Sequence, residues 1–213
     1  MSAITATSEF SSEFQPQTLL LLSAAPKPHG FTGRMEETFL AHTPHNITVE
    51  RVNLFEEAIL SCRDCKACRH IDGCVLDHQD SCAGILSRAL GAQYLAVSSP
   101  IYFLSYPAPL KAFCDRLQQY FTRKVLLGKP HPVLKRRRGV LLTCCGSQDP
   151  FGLQVMEKTT QMMFSCLNMD LAGTWALSGT DTAGLSQASD AQAHRQALRL
   201  WKNLQDPLAN TQI

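Results

Sequence analysis

Four cysteines within thirteen residues, Cys62, Cys65, Cys68 and Cys74, are the densest group of chemically competent side chains in this 213-residue sequence. Their spacing is C-x2-C-x2-C-x5-C. Thiolates two residues apart can wrap around a cubane, and a fourth a short distance along the chain can close it; iron–sulfur ligation uses this C-x2-C-x2-C start. Other chemistries fit the same side chains. Four thiolates can hold zinc, although zinc ribbons usually divide them into two separated C-x2-C knuckles. A C-x-x-C pair can also act as a thiol redox site. Asp64, Lys66 and Arg69 lie where their charge would tune the potential of any cluster. Of the other five cysteines, Cys82, Cys114 and Cys166 fall at apolar helical positions and read as small core residues.

Three further segments place backbone amides and a few side chains where a ligand can meet them. Ser23-Ala-Ala-Pro-Lys-Pro-His-Gly-Phe-Thr32 is a Pro/Gly-rich loop that opens a helical pattern. The amides and dipole at a helix start favour an anion, to which Lys27 adds charge and Thr32 a hydroxyl. A plain turn is the competing reading. Ser98 to Ser105 puts Pro100, Tyr102 and Phe103 just beyond an apolar run, an edge that suits a flat ring system or simply roofs the core. Thr143-Cys-Cys-Gly-Ser-Gln148 offers N–H groups to a ring carbonyl or nitrogen, with Cys144 and Cys145 read as small residues. HExxH, G-x-S-x-G and Walker lysine motifs are absent, so hydrolase readings have no support.

These loops need a scaffold, and the patterning supplies one. Short apolar runs at Thr18–Ser23, Ile47–Val52, Tyr94–Ser98, Gly139–Thr143 and Met169–Leu177 read as strands. Helical segments lie between them: Thr32 to His42, Asp80 (as cap) to Leu90, a helix opened by Pro107 and Pro109 with a stripe from Leu110 to Phe121, Phe151 to Leu167, and Ala191 to Leu204. Alternation of this kind predicts a three-layer α/β sandwich with a five-stranded parallel sheet of order 2-1-3-4-5. Ligands then belong beyond the carboxyl ends of the strands. Residues 1–16 read as a flexible polar tail. Residues 17–213 read as one domain, with a cysteine loop at about 60–78.

Hydrophobic residues at 45%, charged residues at 18% and a net charge of +2 describe an ordinary globular chain. That balance gives no reason to expect nucleic acid. The one basic run, Lys135-Arg-Arg-Arg138, reads as a solvated strand entrance, with a nucleotide phosphate or an acidic electron partner as the reserve reading. The apolar run Leu19–Leu22 is far short of a membrane span, which takes about 20 residues. Glu9 and Glu13, with no Lys or Arg before Leu19, give no secretory leader, so a cytoplasmic protein with reduced thiols is expected.

Ser98-Ser-Pro-Ile-Tyr-Phe followed by Leu110-Lys-Ala-Phe-Cys-Asp-Arg116 resembles the G-S-P-V-Y-F…L-K-A-F-x-D-R signature of the flavodoxin-like NAD(P)H-dependent FMN reductases and iron–sulfur flavoproteins. The first loop is similar to that family's G-S-P-R-x-x-G-N-T phosphate loop through Pro26, Lys27, Gly30 and Thr32. Ala25 and Phe31 replace the usual serine and asparagine, and Ser23 is a nearby substitute. The resemblance covers about residues 18–180. It implies FMN, with Pro100, Ile101, Tyr102 and Phe103 lining the isoalloxazine and Thr143 and Gly146 in the glycine-rich loop. It assigns Lys111, Asp115 and Arg116 to helix packing and a dimer contact. It also implies a [4Fe–4S] cluster on Cys62, Cys65, Cys68 and Cys74, a homodimer, and electron transfer from NAD(P)H or a protein donor through the flavin to an acceptor. No catalytic side chain is then required, because the flavin carries the chemistry. The alternatives are a cluster-free NAD(P)H-dependent FMN or quinone reductase with an empty cysteine loop, and a flavin-less scaffold of the same fold.

Overall fold

The computed structural model describes residues 17–206, so the tail expected over residues 1–16 lies outside the described residues. The strands are β1 (Gln17–Ser23), β2 (Ile47–Asn53), β3 (Tyr94–Pro100), β4 (Arg137–Cys144) and β5 (Met169–Leu177). All pair in parallel in the order β2-β1-β3-β4-β5, as expected. The apolar runs are continuous because both faces are covered. In β1, Leu20 and Leu22 enter one core while Leu19 and Leu21 enter the other. Each such burial contributes roughly 1.5–3 kcal/mol.

One face carries α1 (Phe31–Leu40) and α6 (Ala191–Gln205). They are tied where Trp201 stacks on Phe39 at 4.9 Å and donates its indole N–H to the Phe39 carbonyl at 2.9 Å. The other face carries α2 (Cys82–Gly91), α3 (Ala108–Arg116) and α5 (Pro150–Cys166). The expected stripe from Leu110 to Phe121 is not one helix. It breaks at Leu117 into α3 and the short α4 (Gln118–Phe121), which runs into a π-turn over Thr122–Leu126.

The reading of Lys135–Arg138 as solvated holds for Lys135 and Arg136 and is corrected for Arg137 and Arg138. Arg137 and Arg138 are buried inside β4. Arg137 donates to the carbonyls of Ala89, Leu90 and Ala92 at the end of α2, and to Leu167 at the end of α5, at 2.6–2.9 Å. Arg138 donates to the Asn203 carbonyl in α6, and Arg136 pairs with Asp170. Helix C-termini leave carbonyls without intrahelical partners, and a guanidinium supplies both donors and compensating charge. Two of the four basic residues, Arg137 and Arg138, are therefore internal braces, while Arg136 holds Asp170 at the surface.

Candidate functional site

The carboxyl ends of β1, β3, β4 and β5 border a crevice of about 380 Å3, within the range of ligand pockets. On one side runs the loop from β1 to α1. Lys27 accepts the Gly30 N–H through its carbonyl at 3.1 Å, closing a turn that delivers the chain to α1. Gly33 is needed there, because a Cβ would sit 1.8 Å from the Pro28 carbonyl oxygen. The amides of Phe31 and Gly33, at the open start of α1, have no acceptor among the described residues, as an anion site requires. Thr32 is buried, and its hydroxyl lies 3.2 Å from the Cys144 sulfur. Burial pushes the Cys144 thiol up in pKa, while the hydroxyl and amide of Thr32 pull it down. Phe31 packs partly onto the core beneath and leaves the crevice open.

The opposite wall is Pro100, Ile101 and Tyr102. Ile101 donates its N–H to the Cys144 carbonyl at 2.8 Å, which fixes this loop to β4. Tyr102 and Ser105 then exchange backbone hydrogen bonds around a two-residue turn. Phe103 and Leu104 both have positive φ, 49° and 60°. Such tandem left-handed residues make a type I′ hairpin, which costs about 1–2 kcal/mol per non-glycine residue. Phe103 is fully exposed at this tip and not on the crevice wall.

Of the residues expected to hold the cofactor, Pro26, Lys27, Gly30, Thr32, Pro100, Ile101, Tyr102 and Gly146 line this one crevice. Ser23 does not: its hydroxyl donates to buried Glu36 at 2.7 Å, inside the core. Thr143 is also fully buried off the wall, with a hydroxyl that has no partner among the described residues. Sequence reasoning missed Thr180 and Asp181, which complete the wall from the loop after β5. The parallel direction of β5 points to the loop after it, but not to which of its side chains reach the wall.

The four spaced cysteines face a second cavity, of about 360 Å3, built by the segment between β2 and α2. Cys65 is exposed and the other three are half-buried. Asp64 and Lys66 take left-handed φ of 49° and 61° on either side of Cys65, so the chain coils tightly there. The segment is anchored by Arg116, which is buried at the end of α3. Its guanidinium reaches Asp80 at 2.5 Å, Asp77 at 2.9 Å and the Leu60 carbonyl at 3.2 Å. Asp77 in turn accepts the Cys74 N–H at 2.7 Å. Arg116 therefore does serve packing, and its partner is the cysteine segment itself. Among the described residues no three His, Cys, Asp or Glu side chains converge as a single ion would need. The remaining cysteines behave as small hydrophobes: Cys82 is buried with its thiol pushed up to about 12 by desolvation, and Cys114 up to about 11. All nine thiols are free. No helix of the described residues is long and apolar enough to cross a membrane.

Residues 18–182 match the profile of the NADPH-dependent FMN reductase family. An iron–sulfur flavoprotein of Methanosarcina thermophila is 32% identical over 152 residues, covering 66% of this chain and 73% of that protein. The NAD(P)H:quinone oxidoreductase of Methanothermobacter marburgensis superposes with a TM-score of 0.61 at 16% identity, covering 90% of this chain and 99% of the other. An FMN-dependent NADH-azoreductase of Bacillus anthracis, solved with FMN, gives 0.60 at 16% identity, covering 87% and 99%. At such identities the two structural likenesses are of fold.

Proposed function

Because this chain belongs to the NADPH-dependent FMN reductase family, we propose that it is an NAD(P)H-dependent FMN oxidoreductase of the iron–sulfur flavoprotein kind, with flavin in the crevice and a [4Fe–4S] cluster on the four-cysteine segment. The observation that carries the flavin reading is the pairing, in one crevice, of an open helix start beside Lys27 with the apolar wall of Pro100, Ile101 and Tyr102. An anionic phosphate suits the first and a flat ring the second. When bound, FMN supplies hydride acceptance and onward electron transfer. The chain's part is to orient it: the amides of Phe31 and Gly33 and the Lys27 ammonium hold the phosphate, and the wall from Pro100 to Tyr102 keeps water from one ring face. No side chain is required to move a proton.

The cluster reading rests on four thiols around one cavity, whose rim carries Arg63, Arg69 and a Lys66 paired with Asp64, a net positive surround that favours an anionic cluster. A second copy of the chain is the partner proposed for the exposed apolar rim of Tyr102, Phe103, Leu104 and Phe151 beside the crevice. Nine free thiols suit a reducing, cytoplasmic setting.

The test is an anaerobic preparation examined in three ways. Apoprotein should take up one FMN per chain, the complex should bleach on adding NADPH or NADH, and iron and acid-labile sulfide should each approach four per chain. Failure to take up FMN defeats the proposal outright. Flavin without iron or sulfide leaves the cluster-free reductase.

A further inference from the structure

The crevice contains two charged groups that the phosphate and ring contacts do not both use. Lys27 and Asp181 each line it, and neither side chain has a hydrogen bond or ion pair among the described residues. The ammonium is accounted for by the phosphate. The carboxylate is not. Yet its position is built. The loops after β4 and β5 are joined by backbone bonds from Gly179 to Ser147 at 2.8 Å and from Thr180 to Cys145 at 3.1 Å. They set the Asp181 carboxylate against Gly146, whose missing Cβ would lie 2.2 Å from one carboxylate oxygen and 2.5 Å from the other. The absence of a side chain at residue 146 is what lets the charge reach the crevice wall.

We propose that Asp181 sets the reducing power of the bound flavin, by opposing the negative charge that the flavin gains on reduction. The inference rests on the flavin reading above and adds to it a residue outside the matching motifs. The couple concerned is FMN + NAD(P)H → FMNH− + NAD(P)+, in which two electrons and one proton move as hydride and the flavin becomes more negative by one charge. A fixed carboxylate nearby disfavours the product more than the oxidised form. The reduced flavin is thereby the stronger donor toward the next acceptor. Asp181 is itself exposed, so water and salt screen the effect and hold it to a modest factor. It is a positioning charge and takes no proton from substrate.

The test compares binding of oxidised and dithionite-reduced FMN to apoprotein, with the midpoint potential as a second readout. Asp181→Asn should tighten reduced FMN about 3- to 10-fold and change oxidised FMN less than about 2-fold, with the gap narrowing as salt is raised. The upper figure corresponds to a rise of about 30 mV for a two-electron couple. Asp181→Glu keeps the charge and should keep the native ratio of the two affinities. Gly146→Ala should displace the carboxylate and raise the potential in the native background, but have a smaller effect on potential once Asp181→Asn is present. An equal change in both redox forms, or none, overturns the role. Native protein that takes up no FMN at all sinks the flavin reading itself, a result distinguishable from an unresponsive Asp181→Asn holoprotein.

Discussion

Glu36 shows how much of this site is set by side chains that never reach the ligand. It lies fully buried behind the first crevice loop, receiving the Ser23 hydroxyl and paired with Arg51. Burial raises its pKa above the ordinary 4.5, and Ser23 and Arg51 only partly offset that. The sign follows: with the folded value raised, this group's contribution to stability is full below about pH 4.5 and is lost as pH climbs through the folded value. The stability of Glu36→Gln relative to the native chain should therefore rise from acid to neutral pH, as urea unfolding across that range would show. Gly33 is the opposite kind of residue, chosen for what it lacks. Gly33→Ala would drive a methyl group into the Pro28 carbonyl, which is backbone and cannot swing aside. The loop must shift, at a cost of about 1–3 kcal/mol in stability. FMN affinity should fall at least tenfold by fluorescence titration, and riboflavin affinity should fall less, because the damaged part holds the phosphate.

Among the elements, β4 carries the heaviest polar duty through Arg137. Its guanidinium is buried without a carboxylate, and burial lowers its pKa. Arg137→Leu would strand carbonyls from two helix ends, so a loss of about 3 kcal/mol or more in unfolding free energy is expected in urea. A loss below about 1 kcal/mol would mean that water replaces the donors. The element also marks how far the sequence can be read. Strands sandwiched between helices are continuous apolar runs, so Leu19–Leu22 and Val140–Leu142 announce themselves. A basic run at a strand entrance carries no such signal, because its acceptors lie 30 to 65 residues away in the chain. The split between α3 and α4 is hidden for a related reason. Leu117 keeps right-handed torsions, φ −69° and ψ −5°, so the apolar stripe runs through the break undisturbed. At the site, cysteine spacing and the aromatic strand end were legible from local sequence. Asp181 was not, since only the stacking of two loops brings it against Gly146.

For the whole molecule, the cysteine segment is an insert held to the sheet's helices by buried Arg116, with Arg123 gripping Asp72 further out. Arg116 gathers Leu60 at the start of the segment and Asp77 and Asp80 at its return. Arg116→Leu should leave the sheet cooperative in thermal unfolding while limited proteolysis cuts between residues 60 and 78. Any iron should be lost with it. Arg116→Lys keeps the charge but not the fork, and should fall between the two. The Phe103 tip belongs to the same scale: on the proposed dimer, Phe103→Asp should shift light scattering from dimer to monomer and remove the concentration dependence of the melting temperature, because the ring touches little within its own chain. The brace at Arg137 has a last consequence, for the order in which the molecule can be made. Synthesis delivers the carbonyls of residues 89, 90 and 92 well before the guanidinium that satisfies them, and residue 167 later still. A nascent chain stopped short of residue 137 would hold a helix end with no donor and an open sheet edge at β3, so such fragments should aggregate when expressed alone and stay soluble once extended through α5.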